Sequence, residues 1–246
     1  MNSSTGNAAG LKCRLIDTLP RGSRPGLLVI LNHGFGAPGD DLVDFGPWLI
    51  DSSAQIAAHC RFVFPEAPVD LAPFGMPGGR AWWPINMAQL AEINQTRDFE
   101  QLTTLQPEGM VAASRQLADA VSALQLAAGL DDTRTVLGGF SQGAMVSTDA
   151  VLRHRICPRL LALFSGTLLC SDEWSSLAAD HPGCRVFQSH GRQDPLLPLE
   201  PAIQLSQLLS ESGFSVEFSD FFGPHTIPLP VLERLAGLLD ELLQDQ

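Results

Sequence analysis

Several short stretches of this chain are nearly unbroken runs of apolar residues. Leu27-Leu28-Val29-Ile30-Leu31 is bounded by Pro25-Gly26 on one side and by a glycine-rich turn on the other. Such a run predicts a strand buried on both faces. Arg61-Phe62-Val63-Phe64, Thr135-Val136-Leu137, Leu160-Leu161-Ala162-Leu163-Phe164 and Arg185-Val186-Phe187-Gln188 have the same character. Ser215-Val216-Glu217-Phe218 alternates instead, as a more exposed edge strand would. Helical spacing lies between these runs. Val111, Leu117, Val121 and Leu124 recur along one stripe from about Gly109 to Leu126, and Gly129 stands where a helix would end. Leu199 to Ser210 and Leu232 to Leu243 are the next clearest helices.

Strands alternating with helices predict a mostly parallel sheet covered on both faces. Neither an internal repeat nor a linker interrupts the pattern, so residues 1–246 are expected to form one domain. Residues 1–10 are small and polar and are expected to be flexible. Residues 65–106 are the least regular part, with five prolines, Gly78-Gly79 and Trp82-Trp83. A segment that long is expected to carry local structure or function of its own, as a lid or a pocket wall.

Composition narrows the partners. The length of 246 residues supports a sizeable core, and no apolar run in it approaches the roughly 20 residues of a membrane span. A net charge of −12 disfavours nucleic acid and polybasic membrane anchoring. The start of the chain lacks a basic cluster followed by an apolar core, which points to the cytoplasm. Cys13, Cys60, Cys157, Cys170 and Cys184 show no CxxC spacing, which argues against a zinc site and against a dense disulfide framework. No cofactor or metal is expected.

The chemistry enters with Gly139-Phe140-Ser141-Gln142-Gly143. It follows an apolar run and precedes a helix-like segment. A strand, a sharp turn centred on serine and a helix make a nucleophile elbow. A serine hydroxyl needs a general base within hydrogen-bond reach, and that base needs an orienting carboxylate. α/β-hydrolases supply them in the order serine, acid, histidine, each at the carboxyl end of a strand. Asp194 follows the strand Arg185–Gln188 through a short turn, and His225 follows Phe221-Phe222-Gly223-Pro224 before a final helix. The remaining histidines fit worse; His181, for example, precedes the acid in the chain. An oxyanion hole needs two backbone N–H groups. Gln142, next after the nucleophile, supplies one, and Phe35 in Asn32-His33-Gly34-Phe35-Gly36 is assigned the other.

Together these segments resemble the phospholipase/carboxylesterase family of α/β-hydrolases, which contains acyl-protein thioesterases and small bacterial carboxylesterases. Arg80-Ala81-Trp82-Trp83-Pro84, Ser189-His190-Gly191-Arg192-Gln193-Asp194-Pro195 and Gly223-Pro224-His225 also carry the resemblance, which spans residues 27 to 226. It implies the α/β-hydrolase fold and a serine hydrolase of oxy- or thioesters with Ser141 as nucleophile, Asp194 as acid and His225 as base. The segment Pro84 to Gln106 is longer than in the short eukaryotic thioesterases, which implies a different acyl pocket. Phe74, Met76, Trp82 and Trp83 are candidates for its wall; for the tryptophans, core packing is an equal alternative. Acyl transfer, peptide cleavage and a non-catalytic binding role on the same scaffold stay open, as does pairing of two copies through exposed apolar surface.

Overall fold

The computed structural model describes residues 1–244. In chain order its strands are β1 (Asn2–Ala8), β2 (Leu11–Asp17), β3 (Leu27–Asn32), β4 (Cys60–Pro65), β5 (Val69–Asp70), β6 (Arg80–Ala81), β7 (Thr135–Phe140), β8 (Leu160–Phe164), β9 (Arg185–Gly191) and β10 (Ser215–Phe221). The α-helices are α1 (Phe45–Ser52), α2 (Ala54–His59), α3 (Met87–Thr96), α4 (Phe99–Thr103), α5 (Met110–Ala128), α6 (Gln142–His154), α7 (Ser171–Ala179), α8 (Leu199–Glu211) and α9 (Leu229–Gln244). Eight strands form one sheet in the order β1-β2-β4-β3-β7-β8-β9-β10, parallel from β4 to β10. In this sheet β2 alone is reversed, pairing antiparallel with both of its neighbours, β1 and β4.

The unbroken apolar runs have a direct cause. Leu28 and Ile30 of β3 pack into the core under α5 and α6, while Leu27, Val29 and Leu31 pack against α1, α2 and α9 on the opposite face. Leu161 and Leu163 of β8 likewise face the first core, and Leu160, Ala162 and Phe164 the second. Neither side of these strands meets water, so no alternation survives in the sequence. β10 closes the sheet as an edge strand, half-buried along most of its length.

The amino-terminal expectation needs correction. Residues 2–8 are not a loose leader but pair with β2 along their whole length, from Asn2 opposite Asp17 to Ala8 opposite Leu11. The hairpin turns through Ala9 and Gly10, both at positive φ (47° and 85°), the backbone of a tight two-residue turn. The strand escapes sequence reading because six of its seven residues are exposed and none is β-branched and apolar. Its order comes from the ladder with β2, which buries Leu11, Cys13 and Ile16.

The chain leaves β3 for β4 on one side and later crosses back to place β7 on the other. The carboxyl ends of β3 and β7 therefore flank a topological switch point, where open α/β sheets bind their ligands.

Candidate active site

Ser141 joins β7 to α6 with φ 55° and ψ −118°, a conformation that side-chain-bearing residues rarely adopt. Its N–H donates to the Phe164 carbonyl of β8 at 2.8 Å, and its carbonyl already accepts from Ala144 and Met145 at 3.0 and 3.2 Å. The strand thus passes into the helix without an intervening loop. Gly143 is required by space: a Cβ there would run into the Asn32 carbonyl.

The acid and the histidine meet at the ends of β9 and β10. Asp194 and His225 are hydrogen-bonded, with His225 Nδ1 2.6 Å from Asp194 Oδ2, and the carboxylate is fully buried. Its other oxygen, Oδ1, accepts from the Leu196 and Leu197 N–H groups at 2.8 and 2.9 Å. With both oxygens engaged, the carboxylate is held in one orientation, and it selects the His225 tautomer that carries the proton on Nδ1. The two loops are tied together by backbone. Arg192 N–H donates to the Phe221 carbonyl (2.8 Å) and Gln193 N–H to the Gly223 carbonyl (3.0 Å). Arg192 also grips Asp220 with two bonds of 2.8 and 2.9 Å. Gly191 permits this approach, since a Cβ there would strike the Gly223 and Pro224 carbonyls. The ring of Phe140, next to the serine, lies 4.7 Å from the His225 ring.

A second histidine sits beside this dyad. His190 is fully buried, with Nε2 2.8 Å from the Leu197 carbonyl and 3.5 Å from Asp194 Oδ2. Burial pushes its pKa below the ordinary 6.5, so the imidazole stays neutral at pH 7.

The loop after β3 lies alongside the serine because Asn32 pairs with Gly139 across the β3–β7 ladder. The buried Asn32 amide donates to the Gly138 carbonyl (3.0 Å) and to Ser147 Oγ (2.9 Å), joining the loop to both β7 and α6. His33 is buried as well. Its Nε2 accepts from the Ala67 N–H at 3.0 Å, so the ring proton resides on Nδ1, which faces the Gly34 carbonyl at 2.8 Å. Burial holds this imidazole below 6.5 too. Among the described residues, the backbone N–H groups of Phe35 and Gln142 have no hydrogen-bond partner. Gln142 N–H is the first of α6, where helices leave donors free.

A cavity of about 360 Å³ opens beside α6, lined by Trp83, Leu90, Ile93, Leu102, Met145 and Leu197 among others. Most of its wall comes from residues 83–108, including α3 and α4. Of the four candidate pocket residues, Trp83 lines it, whereas Trp82 packs in the core. Phe74 and Met76 lie outside the lining and are 64% and 39% exposed. At the surface α3 is moored to the acid loop by Asn94 Nδ2 to the Leu196 carbonyl (2.8 Å), and Arg97, just past its end, pairs with Glu200 of α8 (2.9 Å). Among the described residues no group of three or more His, Cys, Asp or Glu could hold a metal ion, and no helix is long and apolar enough to cross a membrane.

Two features of the site escape sequence reasoning. His33 and His190 read as ordinary histidines before strand-end glycines, and the Gln142 side chain reads as a bystander to its own N–H. Their roles depend on partners up to 60 positions away, which no local spacing encodes.

A mostly parallel sheet with an elbow serine after β7 and an acid–histidine pair after β9 and β10 is the α/β-hydrolase fold. The sequence model of the phospholipase/carboxylesterase family matches residues 19–242, and the chain belongs to that family, a hydrolase of the esterase and thioesterase class. It is 26% identical over 227 residues to the acyl-protein thioesterase 1 of Emericella nidulans, covering 87% of this chain and 90% of that protein. With the corresponding protein of Candida albicans the identity is 28% over 215 residues, covering 82% and 85%. Among solved structures, esterase PE8 superposes with a TM-score of 0.76 at 25% identity, covering 98% of this chain and all of that one. A carboxylesterase from Mesorhizobium loti superposes with a TM-score of 0.70 at 20% identity, covering 98% and 99%.

Proposed function

We propose that this chain cleaves carboxylic oxy- or thioesters through an acyl-enzyme on Ser141. One observation carries the reading: a buried carboxylate locked onto His225 at 2.6 Å, with the His225 ring 4.7 Å from that of Phe140, the residue before the serine of a strand-to-helix elbow. His225 Nε2 takes the serine proton as Oγ attacks the substrate carbonyl carbon. Asp194 stabilises the imidazolium that results. The carbonyl oxygen, now negative, receives the free N–H groups of Phe35 and Gln142. His225 returns the proton to the departing oxygen or sulfur, the ester bond breaks, and water then repeats the sequence on the acyl-enzyme. The cavity walled by Trp83, Leu90 and Ile93 takes an apolar acyl or alcohol group.

Covalent labelling with a fluorophosphonate probe tests this. The wild-type protein is expected to label stoichiometrically and Ser141→Ala not at all. A folded wild-type protein that does not react, or a Ser141→Ala variant that does, removes Ser141 as the nucleophile.

A further inference from the structure

The geometry points to the Gln142 side chain as a positioning residue that locks the two oxyanion donors to each other through the Trp82-Trp83 strap. This rests on the ester-hydrolase reading of the site. The Gln142 side chain is fully buried on the first turn of α6. Its Oε1 accepts from the Trp82 N–H at 2.9 Å, and its Nε2 donates to the Trp83 carbonyl at 2.8 Å. Because an N–H can only donate and a carbonyl only accept, both ends of the amide are fixed. The strap in turn brackets the other donor. Trp82 Nε1 donates to the His33 carbonyl at 3.0 Å, two residues before Phe35. Gly36 N–H donates to the Arg80 carbonyl and Arg80 N–H to the Ala37 carbonyl, both at 2.9 Å, just after Phe35. The strap segment is itself held by Arg80, whose guanidinium donates to the Ala67 and Pro68 carbonyls at 2.9 and 3.0 Å.

Phe35 is therefore fastened on both sides to residues 80–82, and residues 82–83 are fastened to Gln142. The residue that offers one N–H to the anion uses its side chain to hold the loop that offers the other. An oxyanion hole works only if both donors already point at the place where charge develops, and errors near 1 Å are costly. Hydrophobic packing of Trp82 alone would hold the strap in place but would not fix its rotation about the strap axis; a two-point amide clamp does.

The test compares Gln142→Met, which keeps the volume and removes the clamp, with Gln142→Glu. Rates are divided by the number of fluorophosphonate-titratable sites, so that misfolded protein does not count. Gln142→Met is expected to lower kcat per site on a p-nitrophenyl ester by about 10- to 100-fold, with KM changed less than about threefold. Affinity for a trifluoromethyl ketone should fall in parallel. Gln142→Glu places a carboxylate oxygen against the Trp83 carbonyl. When that carboxyl is protonated, its O–H donates to Trp83 and its carbonyl accepts from Trp82, which restores the amide pattern. Its rate relative to wild type is therefore expected to rise as pH falls from about 8 to about 6, since burial raises a carboxyl pKa. An unchanged kcat per site in Gln142→Met overturns the inference, as does a change in KM alone. If that variant does not fold, a pH-independent ratio for Gln142→Glu overturns it instead. Turnover surviving in Ser141→Ala would mark failure of the ester-hydrolase reading, a different result.

Discussion

The two corners of the site are held by different means. At the acid–histidine corner, Asp194 and His225 sit on the loops that follow neighbouring parallel strands, and backbone bonds zip those loops within a few residues of each strand end. At the proposed oxyanion corner, the loop after β3 is held by a relay: the Trp82 indole and the Arg80 backbone bond it directly, its own His33 ring accepts from Ala67, and the side chains of Gln142 and Arg80 hold the strap that carries those bonds. The first corner is a property of the ladder, so it persists wherever the sheet persists. The second depends on a polar network in which each partner is needed by the next, and such networks lose more than one bond when one member goes.

The largest effects should come from the proposed reacting groups. Ser141→Ala and His225→Ala are expected to lower kcat on a short p-nitrophenyl ester by about four to six orders of magnitude, and Asp194→Asn by about four, with far-ultraviolet circular dichroism unchanged. If Asp194→Asn retained most of its rate, the carboxylate would be a strut for Leu196 and Leu197 and not part of the chemistry. A much smaller change probes the other corner. Trp82→Phe removes one indole N–H and leaves the His33 carbonyl buried without it, at a cost of about 1–3 kcal/mol by chemical denaturation. Turnover should drop severalfold while the Asp194–His225 pair, followed through the low-field Nδ1–H proton resonance, does not shift. A shift in that resonance would mean the corners are coupled and the contrast between them is wrong.

Acid should strain both corners at once, because each buries a neutral histidine. His33 and His190 have pKa values below 6.5 in the folded chain and near 6.5 when unfolded. Above that pH neither state binds the protons and there is no penalty. As pH falls below about 6.5 the unfolded chain takes up protons that the folded one refuses, so stability declines toward the folded values. Calorimetric Tm is expected to fall between about pH 7.5 and about pH 5. A Tm that held steady or rose across that window would show that these rings are not kept neutral by burial.

How legible each part is in the sequence follows from the same contrast. The runs at 27–31, 135–137 and 160–164 announce their strands because burial on both faces imposes one residue class on every position. The elbow and the acid turn announce themselves although the limits on Gly143 and Gly191 are set by backbone distant in sequence, at Asn32 and at Gly223-Pro224: a limit that admits only glycine leaves its mark at the position itself. β1 is silent because its order is borrowed from β2 across a two-residue turn. The cavity wall is half legible. Trp83 and α3 are apolar and visible, yet nothing in the spacing separates Trp83, which meets the cavity, from Trp82, which is turned into the core by its bond to His33. Phe74 and Met76 look alike in the sequence to residues that line pockets, but the turn that carries them leaves them at the surface.

The elbow geometry at Ser141 sets stability against activity. An L-residue kept at φ 55° and ψ −118° gives up on the order of 1–3 kcal/mol of native stability. Glycine tolerates that backbone and loses only about 0.5–1 kcal/mol through the greater freedom of its unfolded chain. Ser141→Gly should therefore be inert yet melt higher than the wild type, by about 1 kcal/mol net, whereas Ser141→Ala, equally inert, should not. A scaffold that turns over substrate in this way is less durable than the same scaffold with its chemistry removed, and thermostability screens that ignore turnover will select against the enzyme.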